Sequence, residues 1–346
     1  MNAIMPMDEQ TARRLHQDSL VIDSHNDSIV ALIRRGMSIG GAQRADFHQR
    51  DGAVAYLRQY QSPDGGVQLD LPKAREGGLD AAFFAVDCTR PWGNHLLYCM
   101  DALGHFLQEV EEHSGGIAVA RCAADIARAR AEGRLAAILA VENSDALEKS
   151  PHILPLLYQL GVRAMTLTHS TRSWAGDGCE VAGGGGLTGF GRQLLEQMNE
   201  LGVVVDVSHL NEPGFWDVAQ AAQAPFMATH SCCRALCDHP RNLRDEQLRA
   251  LAEKGGVVAI TFVPDFIDAH NPTFDGLLDH IEHAVAVAGI DHVGLGSDFD
   301  GGGLIVEDAT CLPDIAVSLA KRGYAEDDVR KILGANQLRF LQQVIG

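Results

Sequence analysis

The chain has 346 residues, 46% apolar and 21% charged, enough to build one large α/β barrel or two average domains. Its formal charge of −18, from 28 basic and 46 acidic residues, argues against nucleic acid or an anionic membrane surface as the main partner. It leaves a small-molecule site open, because a pocket can carry the opposite sign to the whole.

The opening stretch, MNAIMPMDEQTARRLHQDS, lacks the apolar centre of a signal peptide, and no run is long and apolar enough to span a bilayer. The closing LRFLQQVIG is too short for a lipid-anchor signal. With eight cysteines spread along the chain without a compact framework, the expectation is a cytoplasmic protein with reduced thiols.

The first apolar run, LVID (20–23), leads into SHNDS, which places Asp23, His25 and Asp27 at alternate positions. On extended backbone His25 and Asp27 face one side, about 7 Å apart, a spacing that suits two ligands of one metal ion. A solvated strand end before a turn is the plainer alternative. Residues 36–72 are polar and Gly-rich and read as an insertion after this strand. Further runs follow at AAFFAVD (81–87), LAAILAVE (135–142), RAMTLTH (163–169), GVVVDVSH (202–209), PFMATHS (225–231), GVVAITFV (256–263) and HVGLGSDFD (292–300). They are continuously apolar, as expected of parallel strands buried on both faces.

Helical patterns lie between them. Phe190, Leu194, Leu195, Met198 and Leu201 form one stripe; DEQLRALAEKGG carries an acidic start and a Gly stop. Near the end, Val329, Ile332, Leu333, Phe340 and Leu341 share a side. Eight strands alternating with helices predict a single (β/α)8 TIM barrel over residues 1–346, with a doubly wound open sheet as the structural alternative.

On that map His25, Asp27, Glu142, His169, His209, His230 and Asp298 fall at or just beyond the C-terminal ends of six strands. Those ends surround one mouth in a barrel, where active sites of this fold are built. A lone histidine at a strand end reads as structural, but convergence of the whole set points to metal. Nitrogen and oxygen donors of this kind suit Zn²⁺ or a similar ion, with enough ligands for two ions sharing a carboxylate, the arrangement of a two-metal hydrolase. Spacing alone does not separate Asp298 from the metal ligands.

Other signals are weaker. GGGLTG (184–189) matches a dinucleotide fingerprint, but its nearest strand lies too far upstream, so it reads as a loop. Cys232, Cys233 and Cys237 lack a second cysteine pair and read as small buried apolar residues, and nothing marks Cys179 as activated. Arg234 and Arg241 are either surface charges or arms reaching over the mouth to grip a carboxylate.

The set DSHND (23–27), VEN (141–143), TLTHS (166–170), DVSHL (206–210), THS (229–231), RNL (241–243) and GSDFDG (296–301) resembles the membrane (renal) dipeptidase-like metallopeptidases of the amidohydrolase superfamily. The tags stand in the family's order and span nearly the whole chain. The resemblance implies two Zn²⁺ per chain, one held by His25 and Asp27, the other by His209 and His230, with Glu142 bridging. It implies a hydroxide between the metals as nucleophile, Asp298 as general base and then acid, and His169 polarising the carbonyl. Arg241 matches the family's arginine for the substrate carboxylate; Arg234 has no counterpart. The implied substrate is a small dipeptide of the L-Xaa-D-Xaa class, and the implied assembly a homodimer, with neither nucleic acid nor membrane as partner. A related amidohydrolase of another amide, lactone or ester, and a non-enzymatic peptide-binding barrel, are the competing readings. Two departures stand out: Thr171 replaces a cysteine that animal members pair with the counterpart of Cys88, and Phe266 stands where they have a substrate-contacting tyrosine.

Overall fold

The structure, a computed structural model, describes residues 7–44, 66–89 and 94–346. Its strands are β1 (Ile22–Asn26), β2 (Ala81–Asp87), β3 (Ile117–Val119), β4 (Leu135–Glu142), β5 (Val162–Thr166), β6 (Val204–Asp206), β7 (Met227–Ser231), β8 (Val257–Ile260) and β9 (Val293–Leu295). All pairings are parallel. The ring runs β1-β2-β4-β5-β6-β7-β8-β9 and closes again on β1, an eight-stranded barrel with helices outside, which rules out the open-sheet alternative. Strand β3 lies outside the ring and pairs only with the first three residues of β4; at three residues it was too short to stand out as an apolar run.

Alternation of side chains decides what fills the barrel. Ile22, Ala81, Phe83, Ala85, Ala136, Ile138, Ala140, Ala164, Val204, Met227 and Val257 form one inner cluster. The intervening residues, among them Phe84, Leu139, Met165, Val205 and Val258, pack outward under the helices. Phe340 and Leu341, from the last helix (Asn336–Val344), are fully buried in the inner cluster and close the barrel's lower end.

The helical stripes are largely as read. Helix Gly189–Leu201 buries Leu194, Leu195 and Met198 and is capped by Thr188, whose hydroxyl accepts from Gly191 N. The final helical run is broken at Gly334, where a Cβ would lie 2.5 Å from the Leu20 carbonyl oxygen; the close pass of β1 demands glycine there.

Several strands end earlier than their apolar runs. β5, β6 and β9 stop at Thr166, Asp206 and Leu295, three residues short of His169, His209 and Asp298. His209 and Asp298 have φ of 66° and 58°, left-handed backbone that cannot extend a strand. Conversely β1 runs on to Asn26, so His25 lies inside the strand instead of after it, and His230 lies inside β7. Of the expected insertion, Met37 and Gln43 form an antiparallel bridge and Leu71–Glu76 a short helix, while residues 45–65 lie outside the described residues.

Candidate active site

A polar row caps the apolar interior. Asp87, Glu142, Thr166 and Asp206 are register partners along β2, β4, β5 and β6, so their side chains stand together on the inner face. Two residues below each sit Ala85, Ala140, Ala164 and Val204 of the inner cluster. His25 and His230 join from β1 and β7, whose pairings both slip in register nearby; such irregularities re-aim side chains. Their rings stack 3.7 Å apart.

Five of the eight sequence-selected residues meet at two points that share Glu142. Glu142, His209 and His230 form one trio of possible ligands, and His25, Asp27 and Glu142 another. In the first, His209 Nε2 lies 2.8 Å from Glu142 Oε1 and 2.9 Å from His230 Nε2, and His230 Nε2 lies 3.5 Å from the same oxygen. Ligand atoms bound at about 2.0 Å around a tetrahedral ion are about 3.3 Å apart. The trio has the size of such a cradle. In the second, His25 Nε2 lies 3.9 Å from Glu142 Oε2 and 4.0 Å from Asp27 Oδ2. That nitrogen is buried and makes no hydrogen bond, an orphaned lone pair aimed at two carboxylates. The donor set therefore fits a divalent metal.

The supports of the ring nitrogens agree. The Thr229 hydroxyl donates to Asp206 Oδ2 at 2.6 Å and meets His230 Nδ1 at 2.8 Å, so Nδ1–H donates to Thr229 and Nε2 turns its lone pair inward. Ser170 Oγ meets His209 Nδ1 at 3.1 Å. Burial, then the nearby His230, pushes His25 down to about 3, which keeps it neutral and able to ligate. Burial raises Asp206, but His230 and the hydrogen bonds from Thr166 and Thr229 outweigh it and hold the carboxyl below its ordinary value. Asp23 turns away from the cluster: it accepts from the backbone and hydroxyl of Ser297 at 2.7 and 2.8 Å, tying β1 to the loop after β9.

Asp298 is delivered by that loop. Its carbonyl accepts from Gly301, Gly302 and Gly303 N, and its own N donates to the His25 carbonyl. A Cβ at Gly301 would lie 2.0 Å from Asp27 Oδ2 and 2.1 Å from Asp298 Oδ1; only glycine leaves room for both carboxylates. His169 stacks on His209 at 4.1 Å and shares a third trio with Glu142 and Asp87.

The two arginines separate. Arg234 forms a surface pair with Asp238 at 2.7 Å. Arg241 is 3% exposed, donates to the His230 carbonyl at 2.8 Å and leaves Nε without a partner. Phe266 lies 5.2 Å from its guanidinium. The glycine loop at 184–189 is already occupied: Gly185 N and Leu187 N donate to Asp177 and Asp217, so no phosphate cradle exists there. Cys232, Cys233 and Cys237 are buried, and every cysteine is free, Cys88 included. The sequence reading missed Asp87 and Asp206. Both continue the inward i, i+2 series of their strands, which was the signal available.

A barrel whose mouth carries such trios of possible ligands has counterparts. A family model described as membrane dipeptidase (peptidase family M19) matches residues 9–345. The chain belongs to that family. This M19 chain is 34% identical over 350 residues to dipeptidase verJ of Clonostachys rogersoniana, covering 96% of itself and 86% of that relative. It is similar to the crystal structure of dipeptidase AC, an M19 metallopeptidase, at 30% identity and TM-score 0.82, covering 95% of this chain and 99% of the other. A Rhodobacter sphaeroides metallopeptidase, liganded with a phosphinate mimic of the dipeptide L-Ala-D-Ala, matches at 28% identity and TM-score 0.82, covering 94% and 100%. The M19 chain is accordingly a metal-dependent dipeptidase. None of its helices, among the described residues, is long and apolar enough to cross a membrane.

Proposed function

We propose that the enzyme holds two zinc ions and hydrolyses dipeptides of the L-Xaa-D-Xaa class. The observation that carries the substrate reading is Arg241: a buried guanidinium bonded to the His230 carbonyl beside the candidate ligands, with no carboxylate in ion-pair range among the described residues. A buried charge without a counterion is costly, and a substrate's terminal carboxylate is the natural partner. The phosphinate complex of the R. sphaeroides relative supports the D-configured second residue.

In this reading His25 and Asp27 would hold one ion and His209 and His230 the other, with Glu142 shared between the two trios. The chemistry such ions would supply is to lower the pKa of a nearby water and to polarise the scissile carbonyl. Arg241 fixes the substrate by its carboxylate. His169 donates to the carbonyl oxygen as it gains charge. Asp298 takes the proton of the attacking water and returns it to the departing amine nitrogen. The crowding of Asp27 and Asp298 around Gly301 keeps that base beside the cluster. We further take residues 1–346 as one catalytic domain with an insertion near 36–72, working as a cytoplasmic homodimer; the eight free cysteines agree with a reducing compartment.

Steady-state hydrolysis of an L-Xaa-D-Xaa panel by zinc-loaded and chelated protein tests this. Chelator-sensitive turnover is expected, and Arg241→Ala should raise KM for dipeptides by about 10- to 100-fold while sparing neutral esters. No turnover of any member, with two metals verified per chain, moves the substrate class to neutral amides and esters.

A further inference from the structure

Asp87 has no role in the mechanism above, yet it is built into the site. It closes β2, is 5% exposed, and stands beside Glu142 in register on the inner face. One of its oxygens, one of Glu142 and a ring nitrogen of His169 all lie within 4.8 Å of one another. Thr89 N donates to Oδ1 at 2.8 Å, which fixes the side chain. No lysine or arginine pairs with it among the described residues, so its charge, like that of Arg241, lacks a protein counterion.

The position of Asp87 is as telling as its charge. Around the ring, β2 is four strands from β7 in either direction: through β4, β5 and β6, or through β1, β9 and β8. Arg241 is bonded to the end of β7. The mouth thus presents a buried cation on one side and a buried anion on the opposite side, with the ligand trios between them. A dipeptide is a zwitterion with a carboxylate at one end, an ammonium at the other and its one amide in the middle.

We propose that Asp87 receives the free α-ammonium group of the substrate's N-terminal residue. The residue then selects for an unblocked amino terminus, as Arg241 selects for a free carboxyl terminus, and the pair limits the substrate to two residues. This inference rests on the reading of Arg241 as the carboxylate site.

The test compares L-Ala-D-Ala with propionyl-D-alanine, which lacks only the amine, on zinc-loaded wild type, Asp87→Asn, Asp87→Glu and Arg241→Ala. Propionyl-D-alanine is followed as a substrate or, where turnover is slow, as a competitive inhibitor. Asp87→Asn is expected to raise KM for the dipeptide by about 10- to 100-fold, the worth of a hydrogen bond between charged groups, and to leave the propionyl compound nearly unaffected. Asp87→Glu should recover part of the loss, and metal content should not change. Equal losses on both compounds, a drop in bound metal, or a wild type indifferent to the amine would each overturn the proposal. A failure of the Arg241 reading shows separately, as an Arg241→Ala variant with unchanged KM for both compounds.

Discussion

The lower barrel and its mouth are made from the same strands by opposite rules. Below, inward positions are apolar, the ladder is regular, and residues such as Phe83 and Ile138 are wholly buried. Above, within one to five residues of the strand ends, the backbone turns left-handed at Asn143, His209, Asp298 and Asp300. There the buried side chains are carboxylates and imidazoles. Each such backbone costs on the order of 1 kcal/mol, and each buried carboxylate adds a desolvation cost. Apolar burial, about 1.5–3 kcal/mol for a large side chain, offsets these from below. Stability and chemistry are therefore stacked one above the other, so substitutions in the two layers should have separable effects.

The largest expected effect belongs to the mouth. Asp298→Asn should lower kcat by about 10²- to 10⁴-fold. Its urea midpoint should hold or rise, because a carboxylate crowded against Asp27 has lost its charge. A midpoint that falls as far as that of a core variant would break the division.

Phe83→Ala probes the floor. About 3–5 kcal/mol of unfolding free energy should go, with kcat/KM of the folded fraction little changed; unfolding curves and active-site titration check it. Between the layers, Thr229→Val removes the hydroxyl that joins His230 to Asp206. Metal affinity should weaken by about 10- to 100-fold, as read by competition with a chelator.

The smallest effect concerns a histidine outside the mouth. Burial holds His16 below its ordinary value, opposed by its 2.7 Å bond to the Gly77 carbonyl. Below about pH 6.5 the unfolded chain then binds more protons than the folded one, so this residue makes stability rise with pH and fall on acidification. His16→Gln should flatten the dependence of the urea midpoint between pH 7 and 5 without altering turnover at pH 7.

The floor was almost fully legible in the sequence, because unbroken apolar runs leave few other arrangements. The gathering of histidines and carboxylates at the mouth was legible too, since such residues at so many strand ends have few structural explanations. Asp87 was hidden by treating AAFFAVD as a uniformly apolar run; its alternation, Ala81, Phe83, Ala85, Asp87, places the carboxylate inward. Asp206 was hidden in the same way within VVVDVSH. The exact corners that present His209 and Asp298 depend on left-handed residues that are not glycine, and no spacing rule signals those. The full burial of Arg241 and only partial burial of Arg234 were equally closed to the sequence, because both lie in one loop of similar composition.

The seal that Phe340 and Leu341 place under the barrel bears on how the enzyme is emptied. With the lower end shut, traffic runs both ways through one doorway. Each amino acid released must leave along the route by which the next dipeptide arrives. On the proposed role of Arg241, the freed C-terminal residue would keep the carboxylate that holds it, so accumulated product should compete at the entrance and slow its own formation.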